Sequence, residues 1–124
     1  INKLRIMSNG YLTTHVLDVY NGTPGKCIRG AIYRIEGENK KKIRDFKLNN
    51  DGRSESPILD KSEFDKGKYE LIFYCGEYFK KFVNINEPLF VDDVIIRFGI
   101  NDIDQHYHVP LLVSPWSYST YRGS

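Results

Sequence analysis

Hydrophobic and polar residues alternate along several short stretches of the chain, and turn-forming residues separate these stretches. Side chains in a strand point to opposite faces in turn, so this alternation predicts strands that bury one face. Tyr69, Leu71, Phe73 and Cys75 form one such face. We predict eight strands, at residues 11–19, 27–36, 41–48, 53–56, 68–75, 91–100, 105–113 and 116–122.

Turn chemistry marks the ends of these strands. Asn21-Gly22 and Pro24-Gly25 end the first, residues 49–52 (Asn-Asn-Asp-Gly) end the third, and Pro57 stops the short fourth strand. Residues 76–82 predict one or two helical turns. Short strands at close spacing, without a repeat or a linker, predict an all-β sandwich of two sheets with one short helix.

Composition agrees with a single soluble domain. The 124 residues are 40% hydrophobic and 27% charged, which is ordinary for a globular protein. A net charge of +2 does not favour a nucleic-acid partner, and we interpret Lys40-Lys41-Lys42 as a solvated turn. No apolar run approaches the length of a transmembrane helix, so no membrane partner is expected. Cys27 and Cys75 are expected to be reduced, with a single bridge between them as the alternative.

The first ten residues lack the apolar region of a signal peptide. We interpret residues 1–10 as an N-terminal extension, either the remnant of a leader or a segment ahead of a natural start at Met7. Residues 11–124 then form the domain. We expect a cytoplasmic location, and a periplasmic one after signal removal is the alternative.

Two predicted strands carry histidines on faces where a sandwich with a purely structural role does not require them. His15 shares a face with Thr13 and Leu17, and His106 shares a face with His108. A solvated histidine is the plain interpretation of His15 alone. The face with both histidines also carries Pro110, and it is typical of the wall of a cleft or interface. Because Pro110 cannot donate to a ladder, we expect this strand to be irregular, edge-like or bulged there.

The polar residues allow two kinds of chemistry. A His-x-His pair with His15 could chelate a metal, but no cysteine or carboxylate stands at ligand spacing, so we predict no metal. Arg53 follows a turn and carries a charged fork of donors suited to a planar anion or an oxyanion. The motifs of nucleophilic catalysis are missing from the sequence. Acid–base chemistry on a bound water remains, for which neutral histidine is suited near pH 7.

Four segments together carry a family resemblance. They are residues 12–18 (Leu-Thr-Thr-His-Val-Leu-Asp), residues 51–53 (Asp-Gly-Arg), residues 106–115 (His-Tyr-His-Val-Pro-Leu-Leu-Val-Ser-Pro) and the terminal residues 121–124 (Tyr-Arg-Gly-Ser). In this order they resemble the transthyretin-like 5-hydroxyisourate hydrolases. The terminal tetrapeptide is the most specific of the four, and the resemblance extends over nearly the whole chain from Tyr11 onward.

The resemblance implies a transthyretin-like sandwich that assembles as a homotetramer, with sites where subunits meet. It implies hydrolysis of 5-hydroxyisourate, a product of urate oxidation in purine catabolism, to 2-oxo-4-hydroxy-4-carboxy-5-ureidoimidazoline without a cofactor. By motif position, the catalytic residues fall on His15, Arg53 and His108. The implied substrate contacts are Ser119, Tyr121, Arg122, Gly123 and Ser124, with His106 beside them.

Two other functions are compatible with a sandwich. A transthyretin-like carrier would hold a small ligand in its channel without converting it, and fold alone does not decide between carrier and enzyme. A structural or adhesive sandwich would have hydrophobic or chemically unreactive residues on the face of His15 and His108. The combination of His15, Arg53, His108 and the terminal tetrapeptide favours the hydrolase. The sequence leaves open whether His108 or His15 is the base.

Overall fold

The computed structural model describes residues 8–82, 84 and 86–123. Within these residues the chain forms eight strands and one short helix, α1 (Cys75–Phe79). The strands are β1 (Tyr11–Asp18), β2 (Thr23–Pro24), β3 (Arg29–Glu36), β4 (Asn39–Lys47), β5 (Gly67–Tyr74), β6 (Asp93–Ile100), β7 (His106–Val113) and β8 (Tyr118–Thr120). They form two four-stranded sheets with the orders β2-β1-β7-β8 and β4-β3-β5-β6.

The hydrophobic core lies between the two sheets, which confirms the predicted sandwich. Every second residue of β1 is buried, from Leu12 to Asp18, while the residues between them are half-buried. This is the pattern expected of a strand with one face on the core. The largest fully buried side chains are Tyr69, Phe64, Phe73, Phe79, Leu12, Ile28, Ile32, Leu48, Ile58, Leu59, Leu71 and Ile100.

Several predicted bounds differ from the structure. The predicted strand at 53–56 is absent from the described sheets, and only Arg53 makes a bridge, to His15 of β1. Thr23–Pro24, predicted to lie in a turn, instead pairs with the end of β1. The predicted helix at 76–82 begins at Cys75 and ends at Phe79. These segments form few backbone pairs, so their bounds depend on contacts that local sequence does not contain.

Pro110 lies in an unbroken part of the first sheet, so the expectation of an irregular or edge-like strand is wrong. β7 runs between β1 and β8, and all eight of its residues pair in parallel with β1. The register with β8 places Tyr121 opposite Pro110, between the Leu111–Thr120 pair and the bridge from His108 to Gly123. The missing N–H therefore falls on the β8 side, and β8 ends at Thr120, short of the predicted Arg122.

A buried carboxylate holds the turn after β1. Asp18 is 1% exposed, and it accepts hydrogen bonds from the backbone and side-chain nitrogens of Asn21 at 2.9 and 2.7 Å. The Tyr78 hydroxyl of α1 donates to the same carboxylate at 2.7 Å. Buried charges need such partners, so this cluster joins the end of β1 to the helix.

The second sheet has one strongly charged edge. Lys40, Lys41 and Lys42 lie in β4, so the interpretation of this run as a turn is wrong. Lys40 forms an ion pair with the buried Glu70 at 2.9 Å, and Lys42 pairs with Asp45 at 2.6 Å. Lysines on an edge strand discourage pairing with another chain, which gives this run a structural role.

The remaining expectations concern the termini and the cysteines. Cys27 and Cys75 are both free thiols, as expected. Ser8 and Gly10 contact the domain: the Ser8 hydroxyl donates to the Lys61 carbonyl at 3.0 Å, and the backbone nitrogen of Gly10 donates to the Ile103 carbonyl at 2.8 Å. In the described part of the chain no helix is long and apolar enough to cross a membrane.

Candidate active site

The parallel pairing of β1 with β7 assembles the histidine face. It sets Tyr11 opposite His106, Thr13 opposite His108, and His15 opposite Pro110. In a parallel pair, opposite residues point to the same face of the sheet. The imidazoles of both strands therefore share the outer face of the first sheet, where all three are half-buried.

A hydrogen-bonded turn brings Arg53 to this face. The side-chain oxygen of Asn49 accepts from the backbone nitrogens of Asp51 at 2.9 Å and Arg53 at 3.1 Å. The backbone nitrogen of Asn49 donates to the Arg53 carbonyl at 2.8 Å. The closed turn lies against β1, where Arg53 forms an antiparallel bridge with His15. The guanidinium-bearing residue is thus fixed beside an imidazole by backbone contacts.

Gly52 allows the turn to approach β1 closely. Its φ is +72°, and a Cβ atom at this position would lie 2.5 Å from the Val16 carbonyl oxygen. The Gly52 carbonyl accepts from the backbone nitrogen of Val16 at 2.9 Å. Both the left-handed conformation and the close approach require glycine. The glycine of the Asp-Gly-Arg motif is therefore required by the geometry of this turn.

The C-terminal tail returns to the histidine face at Gly123. Its backbone nitrogen donates to the His108 carbonyl at 2.8 Å, and a Cβ atom on Gly123 would lie 2.7 Å from Cδ2 of His108. The register of β7 with β8 also sets Ser119 and Tyr121 on the histidine side, opposite Leu112 and Pro110. Tyr121 is 61% exposed there. Ser124, another predicted contact, lies outside the described residues.

Arg122 turns to the other side of the sheet. Its guanidinium lies 3.9 Å from the centre of the Tyr107 ring and donates to the Gln105 side chain at 2.7 Å. It lines a cavity of about 220 Å³ together with residues of β6, β7 and β8, among them Phe98 and Tyr107. Arg122 therefore points away from the face of His15 and His108, although its charge still acts on the ring of His106, and its role as a substrate contact stays a prediction.

Thr13 is a site residue that sequence reasoning missed. Its Oγ1 lies 2.6 Å from Nε2 of His106 and 2.7 Å from Nδ1 of His108. Tyr11, two residues earlier, stacks on His106 with ring centres 4.1 Å apart and planes 11° from parallel. Period-two counting puts Thr13 on the face of His15, but only the register of β1 on β7 brings it between the other two histidines.

The surroundings favour neutral imidazoles. Burial lowers the pKa of His108, and the charges of His106, Arg53 and His15 lower it further. Burial and the Arg53 charge lower the pKa of His15, while a hydrogen bond to the Asp51 backbone opposes them. Burial and the Arg122 charge lower the pKa of His106. At neutral pH these rings can therefore accept a proton, beside a guanidinium that stays charged.

The described residues do not gather a metal site: no three of their His, Cys, Asp and Glu side chains lie close enough to hold an ion. Nε2 of His106 and Nδ1 of His108 both contact the Thr13 hydroxyl, so these two nitrogens are engaged in hydrogen bonds. The group as a whole offers a proton acceptor and a fixed positive charge. It can activate water and stabilise an anion that forms nearby.

Comparison with known proteins agrees with this arrangement. A model of the HIUase/Transthyretin family matches residues 12–123, which include both histidine strands, the Arg53 turn and the tail up to Gly123. The chain belongs to the HIUase/Transthyretin family. A family member from Pseudomonas aeruginosa, a 5-hydroxyisourate hydrolase, is 50% identical over 116 residues, covering 93% of this chain and 92% of that protein. The mouse 5-hydroxyisourate hydrolase is 39% identical over 115 residues, 91% of this chain and 94% of its own length.

Solved structures share the family fold. The structure of Klebsiella pneumoniae 5-hydroxyisourate hydrolase superposes with a TM-score of 0.76 at 29% identity, over 93% of this chain and 99% of that one. The crystal structure of (S)-allantoin synthase gives a TM-score of 0.87 at 46% identity over 96% of this chain. This chain spans 46% of the synthase chain, so it is similar to a part of that protein.

The Gly52 turn should be sensitive to a single methyl group. We expect Gly52→Ala to lower the free energy of unfolding by about 3 kcal/mol, because it meets both backbone strain and the Val16 carbonyl. Gly37→Ala is the matched control: Gly37 has a φ of +61° but nothing within 4 Å, so about 1 kcal/mol is expected. Denaturant unfolding measures both. Equal losses in the two variants would contradict the close approach.

The charge of Arg53 should be visible in the titration of two histidines. We expect Arg53→Gln to raise the pKa of His15 and His108, because the guanidinium lowers both, so each ring is protonated at higher pH. His106 serves as the internal control, since its pKa is lowered by burial and Arg122. NMR titration of the three imidazoles checks this. A parallel change at all three rings would argue against the specific effect of Arg53.

Proposed function

We propose that the chain is a hydrolase that opens the ring of 5-hydroxyisourate in purine catabolism. The observation that carries the proposal is the His15–Arg53 bridge on the face that His108 shares. A neutral base and a fixed cation lie together on one face of the sheet. Hydrolysis of an amide bond in an anionic ring needs this pair, one group to activate water and the other to stabilise negative charge. Relatives of up to 50% identity that cover nearly the whole chain are named for this reaction.

In the proposed mechanism His108 takes a proton from a bound water, with His15 as its proton-sharing partner. The resulting hydroxide adds to the ring carbonyl, and the carbonyl oxygen becomes anionic. Arg53 stabilises this oxyanion or the anionic ring. The carbon–nitrogen bond then breaks, and the leaving nitrogen receives the proton from the histidines. Chemistry of this kind uses no cofactor.

The tail completes the pocket in this proposal. Gly123 packs on His108 and leaves no room for a side chain, so the tail approaches the ring closely. Tyr121 and Ser119 lie on the same side of the sheet, where their hydroxyls would offer polar contacts to a planar substrate. His106 is linked to this group through the Thr13 hydroxyl, and its contact with the substrate is proposed on the basis of the family motif. Arg122 and Ser124 are proposed contacts on the basis of the family motif alone.

We also propose that the protein is a homotetramer whose subunits close the sites. Each histidine of the face is half-buried in the single chain, so a second subunit could supply the outer wall. Val19, Tyr20 and Trp116 form an exposed apolar patch at one end of the first sheet, with the Tyr20 and Trp116 rings 5.6 Å apart. Such a patch is typical of a protein interface.

Kinetics test the assigned roles directly. We expect His108→Ala to lower kcat/KM by about 10²–10⁴-fold through loss of the base. Arg53→Ala should lower it by about 10²–10³-fold through loss of anion stabilisation. The decay of freshly prepared 5-hydroxyisourate, followed by absorbance, gives the rates, and the solution mass of each variant serves as the control for assembly.

The same assay separates the hydrolase from a carrier. If the wild-type chain bound 5-hydroxyisourate but left its decay at the spontaneous rate, the carrier would be the better description. Unchanged rates in both variants of an active wild type would remove His108 and Arg53 from the mechanism while leaving the activity established.

The assembly is tested by sedimentation. We expect the wild-type chain to have four times its 14.5 kDa mass. Trp116→Glu should reduce this mass, because a charge in an apolar interface is costly to bury. Lys41→Glu, on the charged β4 edge, is the control and should keep the wild-type mass. A monomeric wild type, or a Trp116→Glu variant that stays tetrameric, would contradict the proposed interface.

A further inference from the structure

One hydroxyl contacts two of the three imidazoles. Thr13 Oγ1 lies 2.6 Å from His106 Nε2 and 2.7 Å from His108 Nδ1, which are hydrogen-bond distances. A hydroxyl carries a single proton and two lone pairs. It can therefore donate to only one of the two rings, and it accepts an N–H from the other.

This geometry couples the neutral forms of the two rings. A neutral imidazole has one N–H and one nitrogen with a free lone pair. If Nδ1 of His108 carries the proton, Thr13 accepts it and donates to Nε2 of His106, so His106 carries its proton on Nδ1. If the bonds run in the other direction, both rings carry their protons on Nε2. The two histidines thus change tautomer together.

The direction of the two bonds decides whether His108 can act as a base. Its Nδ1 is occupied by Thr13, so Nε2 is the nitrogen available to a water molecule. The adjacent ring atom Cδ2 faces the tail at Gly123, which puts this edge of the ring in the candidate pocket. Nε2 has a free lone pair only when Nδ1 carries the proton.

We propose that Thr13 is a positioning residue for the hydrolysis, whose hydroxyl accepts from Nδ1 of His108 and donates to Nε2 of His106. It thereby keeps Nε2 of His108 free to take a proton from water. His106 lies at the far end of this series of hydrogen bonds, and its ring is held by stacking on the Tyr11 ring, with ring centres 4.1 Å apart. The inference rests on the proposed function, in which His108 is the base.

Imidazole NMR reads the tautomers without any substrate. The chain has three histidines, so the spectrum of the full chain with ¹⁵N-labelled histidine is simple to assign with His15→Gln and His106→Gln variants. At about pH 8, where imidazoles are neutral, we expect His106 and His108 to carry their protons on Nδ1. A proton on Nε2 of His108 would overturn the proposal.

Kinetics of matched variants test the role of the hydroxyl. Thr13→Val removes it and keeps the branched shape, and we expect kcat to fall about 10-fold with KM within about twofold, the effect of one lost hydrogen bond that matters in the transition state. Thr13→Ser should restore most of kcat. Thr14→Val is the control, because the Thr14 hydroxyl donates at 2.6 Å to the Val109 carbonyl on the core side, and its kcat should match the wild type.

The possible failures are distinguishable. An unchanged kcat in Thr13→Val, or an equal loss in Thr14→Val, would overturn the positioning role while the hydrolase activity stands. A wild-type chain without hydrolase activity would overturn the proposed function. In that case the tautomers of His106 and His108 still decide whether the hydroxyl donates in the inferred direction.

Discussion

The parallel ladder between β1 and β7 is the constraint on which the rest of the site depends. Its eight residue pairs run without a shift, from Tyr11 and His106 to Asp18 and Val113. A slip of one residue would turn Leu12 and Val16 out of the core, so burial of the apolar face also fixes the polar face. The positions of the imidazoles therefore follow from the packing of the side chains on the opposite side of the same strands.

Backbone contacts add the parts that the ladder does not contain. The turn at Arg53 and the tail at Gly123 each form a bridge to the histidine strands, and each approaches through a glycine that leaves no space for a side chain. Pro110 lies between these two additions. Because it cannot donate towards β8, the regular ladder ends at Thr120, and the tail continues in the same register to the bridge between Gly123 and His108.

The charged groups of the site and the buried carboxylates elsewhere in the domain have different kinds of neighbours. Elsewhere, buried carboxylates are paired: Asp18 accepts from Tyr78, and Glu70 is held by Lys40 and Arg97. On the histidine face, cationic Arg53 is instead placed beside imidazoles, and this arrangement lowers the pKa of His15 and His108. Keeping the rings neutral near a positive charge combines a base with a group that stabilises an anion.

The sequence by itself determined which residues could face the core and which could not. Alternation predicted the sandwich, most strand positions, and the faces shared by Thr13 with His15 and by His106 with His108. The motifs also indicated the family. These features are local, because the direction of a side chain in a strand depends only on its place in a period of two. The sequence indicated Arg53 as a group suited to an anion, but only the resemblance joined Arg53 and the tail to the histidines, since nothing local connects them.

Only the tertiary structure decided which strands are neighbours and in what register. It placed Thr13 between His106 and His108, turned Arg122 towards Tyr107, kept Pro110 inside a regular strand, and put Lys40 to Lys42 on an edge. Each of these results depends on pairing between segments far apart in the chain. Such pairing is set by the burial of the whole core and the closure of loops, which no short stretch of sequence specifies.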